Sequence, residues 1–427
     1  TSPTHYSRGA ALMRIASPSR LLAAIGGLLP LRPSPTVQIV GDVYLDVIAK
    51  VDELPSWDGD TTIQSPIQTV AGGSALNTAV QLSALLRTRR QSMQANPTRR
   101  CQLHSRVGAD LYGDLVAGKI KEAGVELSAA RQGGQGVCIC LSGQRDRSFV
   151  SYKGTVGEFN AADLKPRRLF SRGTSHIHFS AYYDCGALQP AVPQLVARAR
   201  SERGATVSIT PQADSAGEWR AGLIELLPLV DVLLCNQREA AAIAGVSYAG
   251  RRPTWAELDE TMQRLREAGA PLVVITLGSD GAIAASSEAM WFQPTSPAAN
   301  PVDATGCGDA FAAGFLFGWC GARDVRRGLV YGCACGGAAV AQVGGSTPLD
   351  AASVNACMRR NEGVGCDLLT YRDARGHEIA TEEYEYACET PAFKDLADCL
   401  EGAEDASDAS VCMSRFENRP GGGPGLS

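Results

Sequence analysis

The chain predicts an α/β fold: a mostly parallel sheet with helices on both faces. Three observations carry this. Between about 176 and 276, apolar strand-like runs alternate with helix-like segments, the spacing of strand–helix–strand units. The N-terminal third instead carries β-rich pieces that need not be parallel, so a small second sheet is expected over 43–70 and 137–152, placed as a lid. Residues 302–311 read V-D-A-T-G-C-G-D-A-F and run straight into the small and apolar stretch 310–319, which predicts a helix with a glycine-rich start.

The elements follow in order. Residues 37–40 and 43–51 are expected strands, separated by Gly41 and Asp42. Segment 61–70 is rich in Thr, Ile and Val with polar alternation, so a half-exposed strand is expected. Ala71-Gly72-Gly73 ends it, and Ser74 caps a helix reaching about Leu86. The basic, polar stretch 87–100 reads as a surface excursion. A strand over 103–107 and a helix over 112–123, closed by Gly124, come next. A hairpin about Gly143 joins 137–142 to 148–152. Strands over 176–180, 206–210, 230–234 and 272–276 then alternate with helices over 189–203, 221–226, 238–244 and 255–268.

A chain of 427 residues that is 44% hydrophobic can hold one large α/β domain with extensions, or two domains. Net charge is −5, but residues 376–427 carry 12 acidic and 3 basic side chains, leaving the rest mildly positive. Such a small excess, without interleaved aromatics, excludes a nucleic-acid footprint. The fourteen cysteines show no C-x-x-C and no zinc-type Cys/His spacing, so buried free thiols in a reduced compartment are expected. Residues 1–36 contain no Asp or Glu and resemble a leader or transit segment. The expected location is the cytoplasm, or a plastid or other organelle if that leader is a transit peptide. The acidic segment 361–427 ends in a Pro/Gly run and is expected to be disordered. No segment is long and apolar enough to span a membrane.

Gly306, Cys307 and Gly308 fall in the first helical turn, where backbone amides lack internal partners and the dipole end is positive. Glycine lets a ligand come close, and the result suits a phosphate. Asp309 would repel a bound phosphate, so its presence makes sense if it takes a proton from a hydroxyl attacking that phosphate. The plainer reading is a glycine-rich loop entering a packed helix. No G-x-x-x-x-G-K-[ST] occurs, so any phosphoryl transfer rests on this segment.

Several separated segments resemble the ribokinase-like sugar kinases, the PfkB carbohydrate kinase family. Ala71-Gly72-Gly73-Ser74-Ala75-Leu76-Asn77 is similar to its N-terminal signature, and residues 303–311 are similar to its C-terminal one. Asn236-Gln237-Arg238-Glu239 fits its N-x-x-E pattern, and residues 276–281 look like its nucleotide-side loop. The resemblance covers roughly 37–350 and implies a three-layer α/β/α kinase domain. It implies Asp309 as general base and the amides of Gly306, Cys307 and Gly308 as the anion hole. Asp46, Gly72, Gly73 and Asn77 would hold the acceptor. Asn236, Thr276, Gly278 and Gly281 would contact ATP. Glu239 would order Mg²⁺ through water, and Asp303 would serve a monovalent cation, K⁺ being the candidate. A homodimer through the lid is a further expectation.

Each residue also has a plainer reading. Asp42 competes with Asp46 as the acceptor ligand. Asn77 and Glu239 fit ordinary first-turn helix positions, and Asp303 fits a turn. His176 and His178, two apart in an apolar strand, read as core residues. The expected function is ATP-dependent phosphorylation of a hydroxyl on a sugar or sugar-like molecule. A nucleoside kinase of the same fold is the alternative, with Tyr44, Phe149 and Tyr152 as its aromatic slot. A catalytically inactive regulatory or scaffolding homologue is the alternative from another class.

Overall fold

The computed structural model describes residues 35–54, 56–92, 100–142, 147–220, 222–248, 250–295 and 301–361, together with short strands at 366–368, 371–372 and 378–379. Residues 1–34 of the leader therefore lie outside the described residues, as do 93–99, the hairpin turn about Gly143 and most of the acidic segment, whereas Thr36, placed in the leader, already belongs to the first strand.

Seven strands form the parallel body of the main sheet, in the order β5 (Glu126–Arg131), β4 (Arg100–Val107), β1 (Thr36–Val40), β8 (Thr174–Phe179), β9 (Thr206–Ile209), β10 (Val232–Asn236), β11 (Val273–Thr276). Beyond β11 the sheet turns antiparallel through β12 (Ala282–Ala285), β13 (Met290–Gln293) and β14 (Cys366–Leu368). A parallel sheet is covered on both faces, so its strands are apolar along their length. β9 and β12 are buried at every position. One core joins the sheet to helices Ser74–Ser92, Cys307–Trp319 and Val325–Ala339; the other packs Val192–Arg203, Gln237–Ala244 and Trp255–Glu267 on it. This is the expected three-layer arrangement.

The second sheet has the order β3 (Gln68–Gly72), β2 (Tyr44–Lys50), β6 (Val137–Ser142), β7 (Arg147–Tyr152), with β2 and β6 parallel. Its position in the chain is as expected, but β3 begins at Gln68 and residues 61–67 are not strand. The helix from Ser74 runs to Ser92, into the stretch read as a surface excursion. The expectation for 361–427 needs correction at three places. Cys366–Leu368 adds an edge strand to the main sheet, and Tyr371–Arg372 pairs with Glu378–Ile379.

His176 and His178 are fully buried and bonded to Thr206 and Ser208 across the strands. They sit in the core, as read. Among the described residues no helix is long and apolar enough to cross a membrane.

Candidate active site

A cavity of about 650 Å³ opens where the C-terminal ends of the parallel strands meet the lid. Crevices outside the carboxyl ends of parallel strands are the usual ligand sites of α/β sheets. The main domain contributes Asp42, Gly73, Ser74, Asn77, Thr210, Asn236, Glu239, Thr276, Gly306, Gly308 and Asp309. The lid contributes Asp46, Cys138, Phe149 and Ser151. Among the residues singled out from sequence, Cys307, Gly72, Gly278, Gly281 and Asp303 are not part of this lining.

Asp309 lies in the first turn of the helix Cys307–Trp319 and is 9% exposed. Ser74 Oγ donates to its Oδ1 at 2.6 Å and Asn77 Nδ2 donates to its Oδ2 at 2.8 Å. Loss of solvation pushes the Asp309 carboxyl up to about 6, and the two donors act against that rise. Asn77 therefore stands against Asp309 itself; its Oδ1 is buried without a protein partner.

The start of this helix is open. Gly306 is the N-cap, with φ 77°, and no side chain caps the turn. A Cβ on Gly306 would fall 2.3 Å from Gly345 Cα, so both backbone sign and space demand glycine. A Cβ on Gly308 would meet nothing within 4 Å, so packing does not explain that glycine. The Cys307 amide donates to Ala304 O at 3.3 Å, which leaves it less free for a ligand than the sequence implied.

Asp42 and Asp46 both line the cavity but are held differently. Asp42 is buried, and its two oxygens accept from the amides of Ser74 at 2.9 Å and Ala75 at 2.8 Å. It caps a helix. Burial nonetheless raises its carboxyl to about 7. Asp46 lines the cavity from β2, and loss of solvation, helped by the Asp309 charge, raises it to about 6. The glycines make room for these carboxylates. A Cβ on Gly72 would fall 1.9 Å from Asp46 Oδ2, and one on Gly73 would fall 2.9 Å from Asp42 Oδ2.

Asn236 and Glu239 form a capping box on helix Gln237–Ala244. Asn236 Oδ1 accepts from the amides of Arg238 and Glu239, and Glu239 Oε2 accepts from the amide of Asn236 at 3.0 Å. Desolvation raises the Glu239 carboxyl to about 7. Asp303 Oδ1 accepts from Thr305 N and Oγ1, and Oδ2 accepts from Gly344 N at 3.0 Å. It ties the turn before the open helix to the loop at 344. Gln81 pins that loop further through Gly345 O and Thr347 O.

Sequence reasoning missed Lys153, Asp184, Thr210 and the Ser74 contact to Asp309. Lys153 pairs with Asp184 at 2.9 Å across the cavity. These contacts span tens to hundreds of residues, and no local pattern announces them.

Comparison with known proteins agrees with this geometry. Residues 34–352 match the model of the pfkB family carbohydrate kinases. The ATP-dependent ribose-1-phosphate kinase of Halopiger xanaduensis is 32% identical over 307 residues, covering 69% of this chain and 88% of that protein. The adenosine kinase of Saccharomyces cerevisiae is 25% identical over 304 residues, covering 68% of this chain and 83% of that protein. Among solved structures, that of Arabidopsis thaliana ribokinase complexed with ribose and ATP superposes with a TM-score of 0.63 at 21% identity, covering 77% of this chain and 99% of that one. The chain belongs to the pfkB carbohydrate kinase family and has the ribokinase fold.

Proposed function

We propose that this chain, a pfkB-family kinase, transfers the terminal phosphoryl group of ATP to a hydroxyl of a sugar or sugar-like acceptor, with Asp309 as the general base. The observation that carries the reading is a buried carboxylate held by Ser74 and Asn77 at the uncapped start of a helix, in the cavity that Asp46 also lines.

Asp46 accepts hydroxyl hydrogens of the acceptor, and Gly72 and Gly73 leave room for the carboxylates that face it. Asp309 takes the proton of the attacking hydroxyl. As that O–H bond breaks, the oxygen bonds to phosphorus and ADP departs with the electrons of the broken P–O bond. The Gly308 amide, with the Gly306 and Cys307 backbone behind it, meets the charge on the moving phosphoryl group. Asn236 and Thr276, backed by the turn at Gly278 and Gly281, take the nucleotide side. Among the described residues no group of three or more His, Cys, Asp or Glu could hold a metal by itself. That fits Mg²⁺ arriving on the nucleotide phosphates, where it would neutralise their charge, with Glu239 reached through water. Asp303 already accepts from Thr305 N, Thr305 Oγ1 and Gly344 N, so any K⁺ near it would take most of its oxygens from backbone carbonyls near Gly344 and Ser346. Ile139, Val150 and Tyr152 are 41%, 62% and 61% exposed on one face of the lid, a surface suited to a homodimer.

The second reading is a nucleoside acceptor. Tyr44 and Phe149 line the cavity and offer an apolar face for a base, whereas Tyr152 does not reach the lining. One screen separates the readings: Mg·ATP consumption over a panel of sugars, sugar 1-phosphates and nucleosides. Turnover of a sugar supports the first, and turnover of nucleosides alone supports the second. ATP consumption with no member of the panel would sink both.

A further inference from the structure

Hydrogen bonding does not stop at Asp309. Its Oδ1 accepts from Ser74 Oγ at 2.6 Å, Ser74 Oγ accepts from Ser180 Oγ at 2.8 Å, and Ser180 Oγ accepts from Thr210 Oγ1 at 3.2 Å. Ser74 and Ser180 are 6% and 2% exposed, and Thr210, half-buried, returns to the cavity lining. Ser180 directly follows β8 and Thr210 directly follows β9. The chain thus ties two strand ends to the starts of two helices.

Its direction is forced. An ionised carboxylate only accepts, so Ser74 must donate its single hydroxyl hydrogen to Asp309. Ser180 must then donate to Ser74, and Thr210 to Ser180. Every hydroxyl hydrogen points toward the base. Bonds aligned in this way polarise one another. The surroundings push the other way. Asp309 is buried, and Asp42, Asp46 and Glu239 feel its charge from three other elements. Lys153, the cationic side chain in the lining, is engaged with Asp184.

We propose that Ser74, Ser180 and Thr210 are positioning residues, a one-way hydroxyl chain that fixes the Asp309 carboxylate and keeps it ready to accept a proton. This rests on the reading of Asp309 as the base. The plainer alternative is that the three hydroxyls only satisfy one another in the interior.

Ser74→Ala separates the two. It removes the hydroxyl but keeps the Ser74 amide that Asp42 uses. In the pH profile of kcat/KM, the acidic limb should move up by about one to two pH units, the loss of one hydrogen bond to a charged group. Ser180→Ala should move it the same way by about 0.2–0.5 unit, because it acts through Ser74. The double variant should match Ser74→Ala alone. The same order should appear in the ligand-free protein, in the ¹³C titration of the Asp309 carboxyl, assigned by its loss in Asp309→Asn. That second readout needs no acceptor, so failure to find a turned-over substrate counts against the kinase reading and not against the chain. An unmoved titration in Ser74→Ala, or additive shifts in the double variant, would overturn the proposal.

Discussion

Helices Ser74–Ser92 and Cys307–Trp319 both begin at the cavity, and they treat their free amides in opposite ways. At the first, Asp42 fills the end with two hydrogen bonds. At the second, Gly306 offers no side chain and Gly308 faces empty space. A third start, at Gln237, is closed by its own capping box. Helix ends ordinarily need partners. Two are supplied by the protein, and the third has no side-chain cap. The difference teaches that a glycine-rich helix start is informative when its cap is missing. It also divides expected mutational effects. Changes at a filled end should cost stability, and changes at the open end should cost turnover.

The largest effect expected from the open end itself is Gly308→Ala. Alanine should stabilise the helix by about 0.5–1 kcal/mol, while its Cβ intrudes on the phosphoryl position and lowers kcat about 10²-fold. Thermal midpoint and kcat measured together check this. A midpoint and a kcat that fall in step would assign Gly308 to packing.

Asp46→Ala should raise the acceptor KM about 10–100-fold while sparing the ATP KM, the loss of one hydrogen bond between a charged group and a hydroxyl. Unchanged acceptor affinity would move that role elsewhere in the lid.

Asp42→Ala, at the filled end, should cost about 1–3 kcal/mol of stability because two buried amides lose their partner. Denaturant midpoints measure this. Loss of turnover without loss of stability would give Asp42 a place in catalysis and blur the contrast between the two ends.

How much of this was legible follows the same division. The decapeptide at 302–311 could be read because its glycines, its aspartate and its helix are local. Asp42 was left open against Asp46 because only the fold shows which carboxylate the Ser74 and Ala75 amides occupy. The contact between Ser74 and Asp309 spans 235 positions. Ser180 and Thr210 matter because β8 neighbours β1 and β9 neighbours β8 in the sheet order, and no periodicity encodes that. Elements were missed where composition misleads. β12 is Ala-Ile-Ala-Ala, a poor strand sequence that succeeds because both neighbours pair with it. Segment 61–67 alternates like a strand yet forms none; β2 pairs with 68–72 instead.

The smallest effect is in pH dependence. Burial raises Asp42 and Glu239 to about 7 and Asp46 and Asp309 to about 6. The folded protein therefore holds protons that the unfolded chain has released, and stability should fall as pH rises through 7. Buried His104 and His178, lowered to about 3 by desolvation, act in the opposite sense below about 6.5. The clean window is pH 6.5–8, where the ligand-free thermal midpoint should decrease. A midpoint that stays level or rises across that window would show that these carboxylates hold no protons there.

The central claim, that the open helix start and its aspartate are the phosphoryl-transfer site, is tested most directly by Asp309→Asn in single turnover with Mg·ATP and the acceptor found by screening. The side chain stays nearly isosteric, so nucleotide affinity measured by calorimetry should remain near wild type. The transfer rate should fall about 10²–10⁴-fold, the usual contribution of a general base. A variant that keeps more than about a tenth of the wild-type rate, with ATP bound normally, contradicts the account, because so small a loss lies well below what a general base contributes.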